Sequence, residues 1–396
     1  MEKTAKLNIS LAVLSSCYFI LAVASLSVIG LLVPMAEGLA ATESEIAYLV
    51  AVFSFTNAIF APVLQTVVGN WDRRRLILIG LFLMATGTVL TGFATVYSVA
   101  LIGRMVLAFG AAIVGPIASA TAAALVDAKI RGAALGKVFA GMTVATVLGV
   151  PMTAIGGDLI GWRATLLAIA GIAVLIAGAV WIAVPQTERG QRAQLADIGN
   201  IMTDPILAPA ILVTAFQMAG QLATYAVLAV YLVEWLSMPS AWLPFTLMTF
   251  GAGGIAGNIF AMRLVDRVGP DILILISLIC TGSVFLCLQV MPSVTWVSFA
   301  LLGAWAAFSM ILFAPQQSRL IGMRPEMSNL VLALNGSAIY GGMAVGSAVG
   351  GYVYASIGAF WLAPISAMFV LCALVSFMFS KRLNKSSQIV TDLEQK

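Results

Sequence analysis

Short charged or turn-forming segments divide the chain into twelve apolar runs. A helix needs about 20 apolar residues to cross the hydrocarbon core of a bilayer, and each run has roughly that length. We therefore predict an all-α membrane protein with twelve transmembrane helices, numbered here as spans one to twelve. The runs lie near residues 9–34, 46–68, 76–94, 98–125, 134–157, 163–184, 206–235, 242–262, 272–291, 295–318, 329–356 and 360–380.

The composition excludes an ordinary soluble protein. Hydrophobic residues make up 61% of the chain and charged residues 9%, against about 45–50% and about 25% in soluble domains. The first run is too long for a signal-peptide core, so we expect it to be retained as a span. The net charge of +4 is spread over loops, which argues against a nucleic-acid partner.

Residues with metal or redox chemistry are scarce. The chain has no histidine, and its four cysteines lie inside apolar runs, where they are expected to act as small buried hydrophobic residues. We therefore predict no metal site and no cofactor. Any proton coupling would have to use carboxylates, because the usual near-neutral proton carrier is missing.

The loops differ in charge on the two sides of the predicted membrane. Cations fill the loops on the side of the termini, and acidic residues with a single cation, Arg163, fill the other side. By the positive-inside rule both termini are cytoplasmic. The cations of the terminal side are Lys3, Lys6, Arg73, Arg74, Arg75, Lys129, Arg131, Arg189, Arg192, Arg263, Arg267, Arg324, Lys381, Arg382 and Lys385.

The chain reads as two related halves. We predict a six-helix bundle over 1–184, a cytoplasmic linker over 185–205, a second bundle over 206–380 and a cytoplasmic tail over 381–396. Two parallel repeats of this kind characterise one large class of transporters, with the substrate site at the midplane between them. The fold prediction is thus two pseudo-symmetric six-helix bundles.

Span five carries glycine and proline in a pattern that favours packing and bending. Gly149, Pro151, Gly156 and Gly157 lie in this span, and glycine lets neighbouring helix backbones approach closely. A partial echo with Gly346, Gly350 and Gly351 follows about 194 residues later in span eleven. The repeat supports the duplicated architecture.

Several short motifs, in their order along the chain and on the spans where they lie, resemble those of the major facilitator superfamily. Asp266, Arg267 and Gly269 resemble its Asp-Arg-x-Gly loop signature, although Pro270-Asp271 replaces the usual basic pair. The equivalent loop of the first half keeps its basic end at 73–75 but has Gly69-Asn70 where the family's Asp-Arg would stand. Arg104 followed by Gly110 in span four resembles the family's arginine-bearing helix.

Within that superfamily the chain is similar to the twelve-span drug:proton antiporters, especially arabinose-efflux-like and purine-exporter-like permeases. The similarity rests on 314–317, on 334–337, on Gly161-Trp162-Arg163 and on the glycine-proline pattern of span five, which the family associates with exporters. Many relatives have an acidic residue in the middle of span one. Here Ser25 or Ser27 stands in that region.

The resemblance implies a secondary active exporter of a small organic solute, such as a drug, nucleobase, nucleoside or sugar, working by alternating access with proton antiport. We also expect a bacterial inner-membrane location, membrane lipid as surroundings and a monomer. A facilitator or importer with the same fold is the alternative, and a membrane receptor or enzyme is a remote one. We find no nucleotide-binding loop and no intramembrane hydrolase set, so we do not expect an enzyme.

Three charged residues are candidates for coupling. Arg104 lies well inside span four, where a cation by default faces the interior, a cavity or a partner; the alternative is a structural arginine held by helix carbonyls. Glu234 and Asp158 lie at the outer ends of spans seven and five, and either is also compatible with an ordinary exposed carboxylate.

Uncharged polar residues are candidates for the substrate cavity. Gln217, Gln221 and Tyr225 recur every four residues on one face of span seven. Such groups suit a pocket for a neutral or amphipathic ligand, and helix-to-helix hydrogen bonding is the alternative. The other candidates are Asn57, Asn258, Gln316, Asn335 and Tyr340.

Two charged cytoplasmic loops predict a gate. Asp72 with Arg73, Arg74 and Arg75 precedes span three, and Asp266 with Arg267 takes the equivalent place in the second half. The arginines are expected to pair with helix carbonyls across the halves when the cytoplasmic side closes. Topology and lipid head-group contact are the alternative roles.

Overall fold

The computed structural model describes residues 2–68, 71–127, 131–186, 199, 201–290, 295–324 and 328–394. These residues form helices and turns, and they include twelve helices long and apolar enough to cross a membrane. The fold class predicted from the sequence is confirmed. Spans one to twelve run over Lys6–Gly30, Glu43–Leu64, Arg73–Gly92, Tyr97–Ala124, Ala134–Ile160, Trp162–Ala183, Leu207–Tyr225, Ser240–Val265, Pro270–Val290, Trp296–Met323, Val331–Ile357 and Ala359–Asn384.

The largest departure from the predicted spans is in span seven. The apolar run 206–235 was predicted as one helix, but the regular helix ends at Tyr225. Val227 leaves the helical conformation, with φ −115° and ψ 28°. A wide, π-helical turn over Tyr231–Trp235 follows. Hydropathy alone does not register such a break, because all residues from Ala226 to Val233 are hydrophobic and Glu234 is the first charge after Tyr225.

Local signals start and stop several spans. The Oδ1 atom of Asp72 accepts a hydrogen bond from the backbone N–H of Arg75 at 2.8 Å, which caps span three. Asp204 accepts from the N–H groups of Ile206 and Leu207 and so precedes span seven. Glycines with φ near +80°, Gly161 and Gly358, form the turns between spans five and six and between spans eleven and twelve.

The twelve spans form two bundles, spans one to six and spans seven to twelve. Small residues permit close packing inside each bundle. A β-carbon on Gly342, Gly346 or Gly350 of span eleven would overlap a backbone carbonyl of span seven. The predicted bundle boundaries stay predictions, and residues 187–198 and 200 of the predicted linker lie outside the described residues.

Span five contains a π-helical turn over Ala145–Gly149. Gly141, before the turn, lies against the backbone of Ser15, and Gly149, at its end, lies against Val23 and Phe19. Eight residues of regular helix would rotate one glycine about 80° from the other. The π turn takes up about one extra residue, so both glycines face span one.

The set of twelve spans has two ends, which we call the terminal face, where the chain termini lie, and the opposite face. At the terminal face the start of span one meets the end of span six, because Ser10 donates to the carbonyl of Ala183 at 2.6 Å. At the opposite face Tyr97 donates to the carbonyl of Glu45 at 2.8 Å. Odd-numbered spans therefore run from the terminal face to the opposite face.

The two bundles meet along a seam that is tightest toward the opposite face. Gly351 of span eleven packs against Ser44 and Tyr48 of span two, and Gly251 of span eight packs against the π turn of span five. From Ala58 to Val68, toward the terminal face, no described side chain of span two is buried. Span two is therefore less covered by neighbouring helices toward the terminal face.

Candidate transport site

Arg104 lies fully inside the first bundle, with 1% of its surface exposed. Its guanidinium donates to the carbonyls of Ala24, Ser25 and Leu49, and it lies 4.9 Å from the centre of the Phe53 ring. The contacts therefore tie span four to spans one and two through backbone carbonyls. This is the geometry of the structural alternative stated for this arginine.

Buried charge in the described residues is limited to two cations, Arg104 and Arg319. No aspartate or glutamate among those residues is buried. Asp271, which pairs with Arg319 at 3.0 Å, has 36% of its side chain exposed. Every carboxylate whose side chain the structure describes is therefore at least partly exposed.

The two carboxylate candidates have different surroundings. Glu234 lies in the wide turn after span seven, and its Oε1 atom accepts a hydrogen bond from the Tyr354 hydroxyl at 2.7 Å. Asp158 is exposed. The nearby Arg163 donates to the carbonyls of Gly38 and Ala94 and thereby joins two loops of the opposite face.

The glutamines of span seven share a buried face, as their spacing predicts. Gln217 is fully buried, and neither atom of its amide has a protein hydrogen-bond partner. Gln221 is buried as well, and its Oε1 atom is also unpartnered. Tyr225, two turns further on, stacks on Phe250 at 4.5 Å. Amide groups with free hydrogen-bonding capacity thus lie beside an aromatic cluster near the midplane.

Two other amides are used in helix contacts. Asn335 accepts a hydrogen bond from Thr214 at 2.7 Å, and Gln316 donates to the carbonyl of Ala210 at 2.6 Å. Both bonds join span seven to a neighbour within the second bundle. Asn57 is buried with an unpartnered Nδ2 atom, whereas Asn258 is half-buried.

Aromatic side chains cross the seam between the bundles. Tyr340 of span eleven approaches Phe53 of span two with ring centres 6.3 Å apart. On the first-bundle side, Tyr18 donates to the carbonyl of Gly115 at 2.9 Å and shares a 2.6 Å hydrogen bond with Ser119. Sequence reasoning missed Tyr18, although a tyrosine inside the mainly apolar span one was a usable signal.

The predicted gate residues of the first half bind within their own bundle. Arg73 donates to the carbonyl of Ala120, and Arg74 donates to the carbonyls of Trp181 and Val184. Arg75 is exposed. In the second half Arg267 is exposed, and the side chain of Asp266 lies outside the described residues.

The second bundle has an ion-pair cluster at the terminal face that sequence reasoning missed. Asp271 accepts from Arg319 at 3.0 Å and lies 3.2 Å from Lys381. Arg319 also donates to Ser380 at 3.0 Å. Asp271 was noted only as a departure from a motif, and no local pattern connects it with residues 48 and 110 positions away.

Twelve spans in two bundles, with unpartnered amides near the midplane, define a membrane transport protein of the two-bundle class. The chain belongs to the Major Facilitator Superfamily, which matches residues 14–328.

Relatives extend over nearly the whole chain. The "Uncharacterized MFS-type transporter YbcL" of Bacillus subtilis (strain 168) is 25% identical over 100% of both chains. The "Inner membrane transport protein YdhP" of Escherichia coli (strain K12) is 23% identical over 95% of this chain and 97% of its own. The "Probable sugar efflux transporter" of Helicobacter pylori (strain HPAG1) is 23% identical over 89% and 90%.

Among solved structures, a bacterial homolog of the human lysosomal transporter Spinster, in an inward-facing and unoccupied conformation, superimposes with a TM-score of 0.72. It covers 96% of this chain and 97% of its own, at 14% sequence identity. This similarity shows the fold.

Proposed function

We propose that the protein exports a small, uncharged, hydrogen-bonding organic solute by alternating access. One observation carries the proposal: the amide of Gln217 is fully buried, and both of its polar atoms lack a protein partner. A buried polar group without a hydrogen bond costs about 1–3 kcal/mol. A solute that donates to and accepts from this amide satisfies both atoms in the occupied state.

The charge of the site supports a neutral solute. No buried carboxylate is found in the described ranges, and the Arg104 guanidinium already donates to three carbonyls. Amides, hydroxyls and aromatic rings remain as ligand groups, which suits a sugar, a nucleobase or nucleoside, or an amphipathic drug. The relatives called sugar efflux transporters favour the hydroxyl-rich member of this set.

The direction of transport is proposed from two observations. The positive-inside distribution supports a cytoplasmic terminal face, and span two is less covered by neighbouring helices on that face. We therefore propose that the solute enters from the cytoplasm. Span five, with Gly149, Pro151, Gly156 and Gly157, resembles the exporters of the drug:proton antiporter branch, which includes multidrug efflux proteins. We place the protein in the bacterial inner membrane as a monomer.

Proton antiport is the proposed driving reaction. Glu234 is the carboxylate that we assign to it, because its bond to Tyr354 links span seven to the part of span eleven that packs against the first bundle. Arg104 acts in this proposal as a positioning residue for spans one and two. Asp158 is the second carboxylate candidate.

The test compares two glutamines of opposite exposure. Purified Gln217→Leu and Gln317→Leu variants are reconstituted in vesicles, and uptake of a panel of neutral solutes is measured with and without an imposed pH gradient. Gln317 is exposed on span ten, so its variant serves as the control. We expect Gln217→Leu to lower transport more than about tenfold and Gln317→Leu to leave it unchanged.

Four outcomes would contradict parts of the proposal. Equal transport by both variants removes Gln217 from the site. Solute movement that never exceeds its own gradient indicates the facilitator alternative, and uphill movement toward the cytoplasmic side indicates an importer. Ligand binding without any solute flux favours the remote receptor or enzyme alternative.

A further inference from the structure

We infer that one face of span ten lines an internal file of ordered water that crosses the second bundle. Five polar residues mark this face: Ser298, Trp305, Ser309, Gln316 and Arg319. Span ten consists of two helices, Thr295–Ile311 and Phe313–Met323, and Leu312 between them keeps helical φ and ψ angles. Spacings of seven, four, seven and three residues therefore place the five side chains on one side of the span. At 1.5 Å per residue they extend over about 30 Å, the thickness of the hydrocarbon core.

All five side chains are buried, yet each has a polar atom without a protein partner. Of the fifteen such atoms among the described residues, twelve belong to the second bundle. Native proteins contain only a few such atoms per hundred residues once ordered water is counted as a partner, so the concentration of these atoms in one bundle indicates where water would bind. The atoms on span ten are Ser298 Oγ, Trp305 Nε1, Ser309 Oγ, Gln316 Oε1 and Arg319 Nη1.

The face points into the bundle along its whole length. Near the middle, Trp305 lies 4.9 Å from Phe285 of span nine and 6.2 Å from Tyr225 of span seven. Toward the terminal face, Gln316 binds the carbonyl of Ala210, and Arg319 binds Asp271. At the levels of Trp305, Gln316 and Arg319 this face of span ten thus lies against spans seven and nine.

Spans seven and nine supply polar atoms at the intermediate levels. Gln217 and Gln221 lie between Ala210 and Tyr225, the two points at which span seven meets span ten. Thr281 lies one turn before Phe285, and Gln289 lies one turn after it. Each of these four side chains has a buried atom without a protein partner.

Water is the ligand that this set of atoms recognises. The file mixes donors and acceptors, and a buried water molecule needs two to four such partners. At the terminal face the file reaches Asp271 and Lys381, which are 36% and 48% exposed, so it connects with solvent there. Water in the file also gives the Gln217 and Gln221 amides partners when no solute is bound.

Hydroxyl-radical footprinting of the wild-type protein without solute tests the file directly. Radicals generated from bound water oxidise side chains next to it. After correction for intrinsic reactivity, we expect Trp305 to be oxidised several-fold faster than Met84, which is equally buried in the first bundle. Equal rates for the two residues would overturn the proposal. This measurement does not depend on transport, so it separates the file from the proposed function.

A pair of substitutions gives a second, independent readout. Thr281→Val removes a hydroxyl that has no protein partner, whereas Thr121→Val, in the first bundle, removes one that donates to the carbonyl of Ile117 at 2.7 Å. If water binds Thr281, its loss lowers the Tm by several degrees and reduces the oxidation of Trp305. A Tm that rises in Thr281→Val, with Trp305 oxidation unchanged, would show a dry interior and overturn the proposal.

Discussion

The two bundles share one arrangement of six spans but differ in how their interiors are satisfied. In the first bundle the buried arginine, Arg104, is held by three backbone carbonyls. In the second, the buried arginine Arg319 pairs with Asp271, and unpartnered amides and hydroxyls fill the interior. We interpret the first bundle as a rigid body and the second as the bundle that supplies the hydrogen bonds a ligand can use.

The contact between spans one and five (the 1–5 interface) also differs from the equivalent contact between spans seven and eleven (the 7–11 interface). Gly342, Gly346 and Gly350 repeat every four residues and lie against backbone carbonyls of span seven. In the first bundle Gly149 lies against the side chain of Val23, and the π turn is needed to keep the glycines on one face. The 7–11 interface is therefore regular, while the 1–5 interface contains a local irregularity near the seam.

The largest expected effect is the loss of the buried arginine of the first bundle. Arg104→Ala removes three hydrogen bonds and leaves a cavity, so we expect it to lower the free energy of unfolding by about 3–5 kcal/mol. Arg319→Ala is expected to cost about 1–3 kcal/mol, because Asp271 keeps its pair with Lys381. Thermal unfolding in detergent measures both. Equal losses would remove the proposed difference between the bundles.

Next in size is a glycine substitution in the 7–11 interface. A β-carbon on Gly342 would overlap the carbonyl oxygen of Ala215, whereas one on the adjacent Gly341 would meet no atom within 4 Å. We expect Gly342→Ala to cost about 1–3 kcal/mol and Gly341→Ala to be neutral or slightly stabilising. Thermal unfolding of the two variants is compared with that of Gly149→Ala. The comparison shows whether the 7–11 interface tolerates an added β-carbon less well than the 1–5 interface does. Similar Tm values for Gly342→Ala and Gly341→Ala would contradict the close approach.

Helix capping gives a smaller contrast. Asp72→Ala removes one capping bond at the start of span three and is expected to cost about 1 kcal/mol. Asp204→Ala should cost more, because Asp204 caps two N–H groups of span seven and pairs with Arg324 at 3.1 Å. Asp72→Asn, which keeps the acceptor, is the control for Asp72→Ala. If it destabilises the protein as much as alanine does, the cap is not the cause.

The smallest effect on stability is expected at the opposite face. Tyr354→Phe removes a bond to the exposed Glu234, so the change in Tm should be at most a few degrees. If Glu234 carries the coupled proton, the same variant should shift the pH dependence of transport, and Glu234→Gln should remove that dependence. The exposed Asp158 provides the matched control through Asp158→Asn. A pH profile that changes equally in both carboxylate variants would exclude a special role for Glu234.

The fold was predictable because it depends on length, hydropathy and the charge of the loops, all of which are local. The site was predictable only in part. The spacing of Gln217 and Gln221 placed both on one buried face, but no local pattern indicates which carbonyls bind Arg104. The end of span seven at Tyr225 was also hidden, since apolar residues continue beyond it. Pairs such as Asp271 with Lys381 depend on the three-dimensional packing of distant helices.

The π turn of span five changes how the halves should be aligned with each other. Gly149 lies twelve residues before the turn glycine Gly161, and Gly346 lies twelve residues before its counterpart Gly358. These two pairs share an offset of 197 residues (346 − 149 and 358 − 161), which replaces the offset of about 194 that matches Gly156-Gly157 with Gly350-Gly351. Because span eleven is a single α-helix over Ser328–Ile357, the extra residue of the π turn has no counterpart in it. An alignment of the two repeats therefore requires a one-residue gap within 145–149, and any ancestral repeat reconstructed without that gap would place the inner end of span five on the wrong helical face.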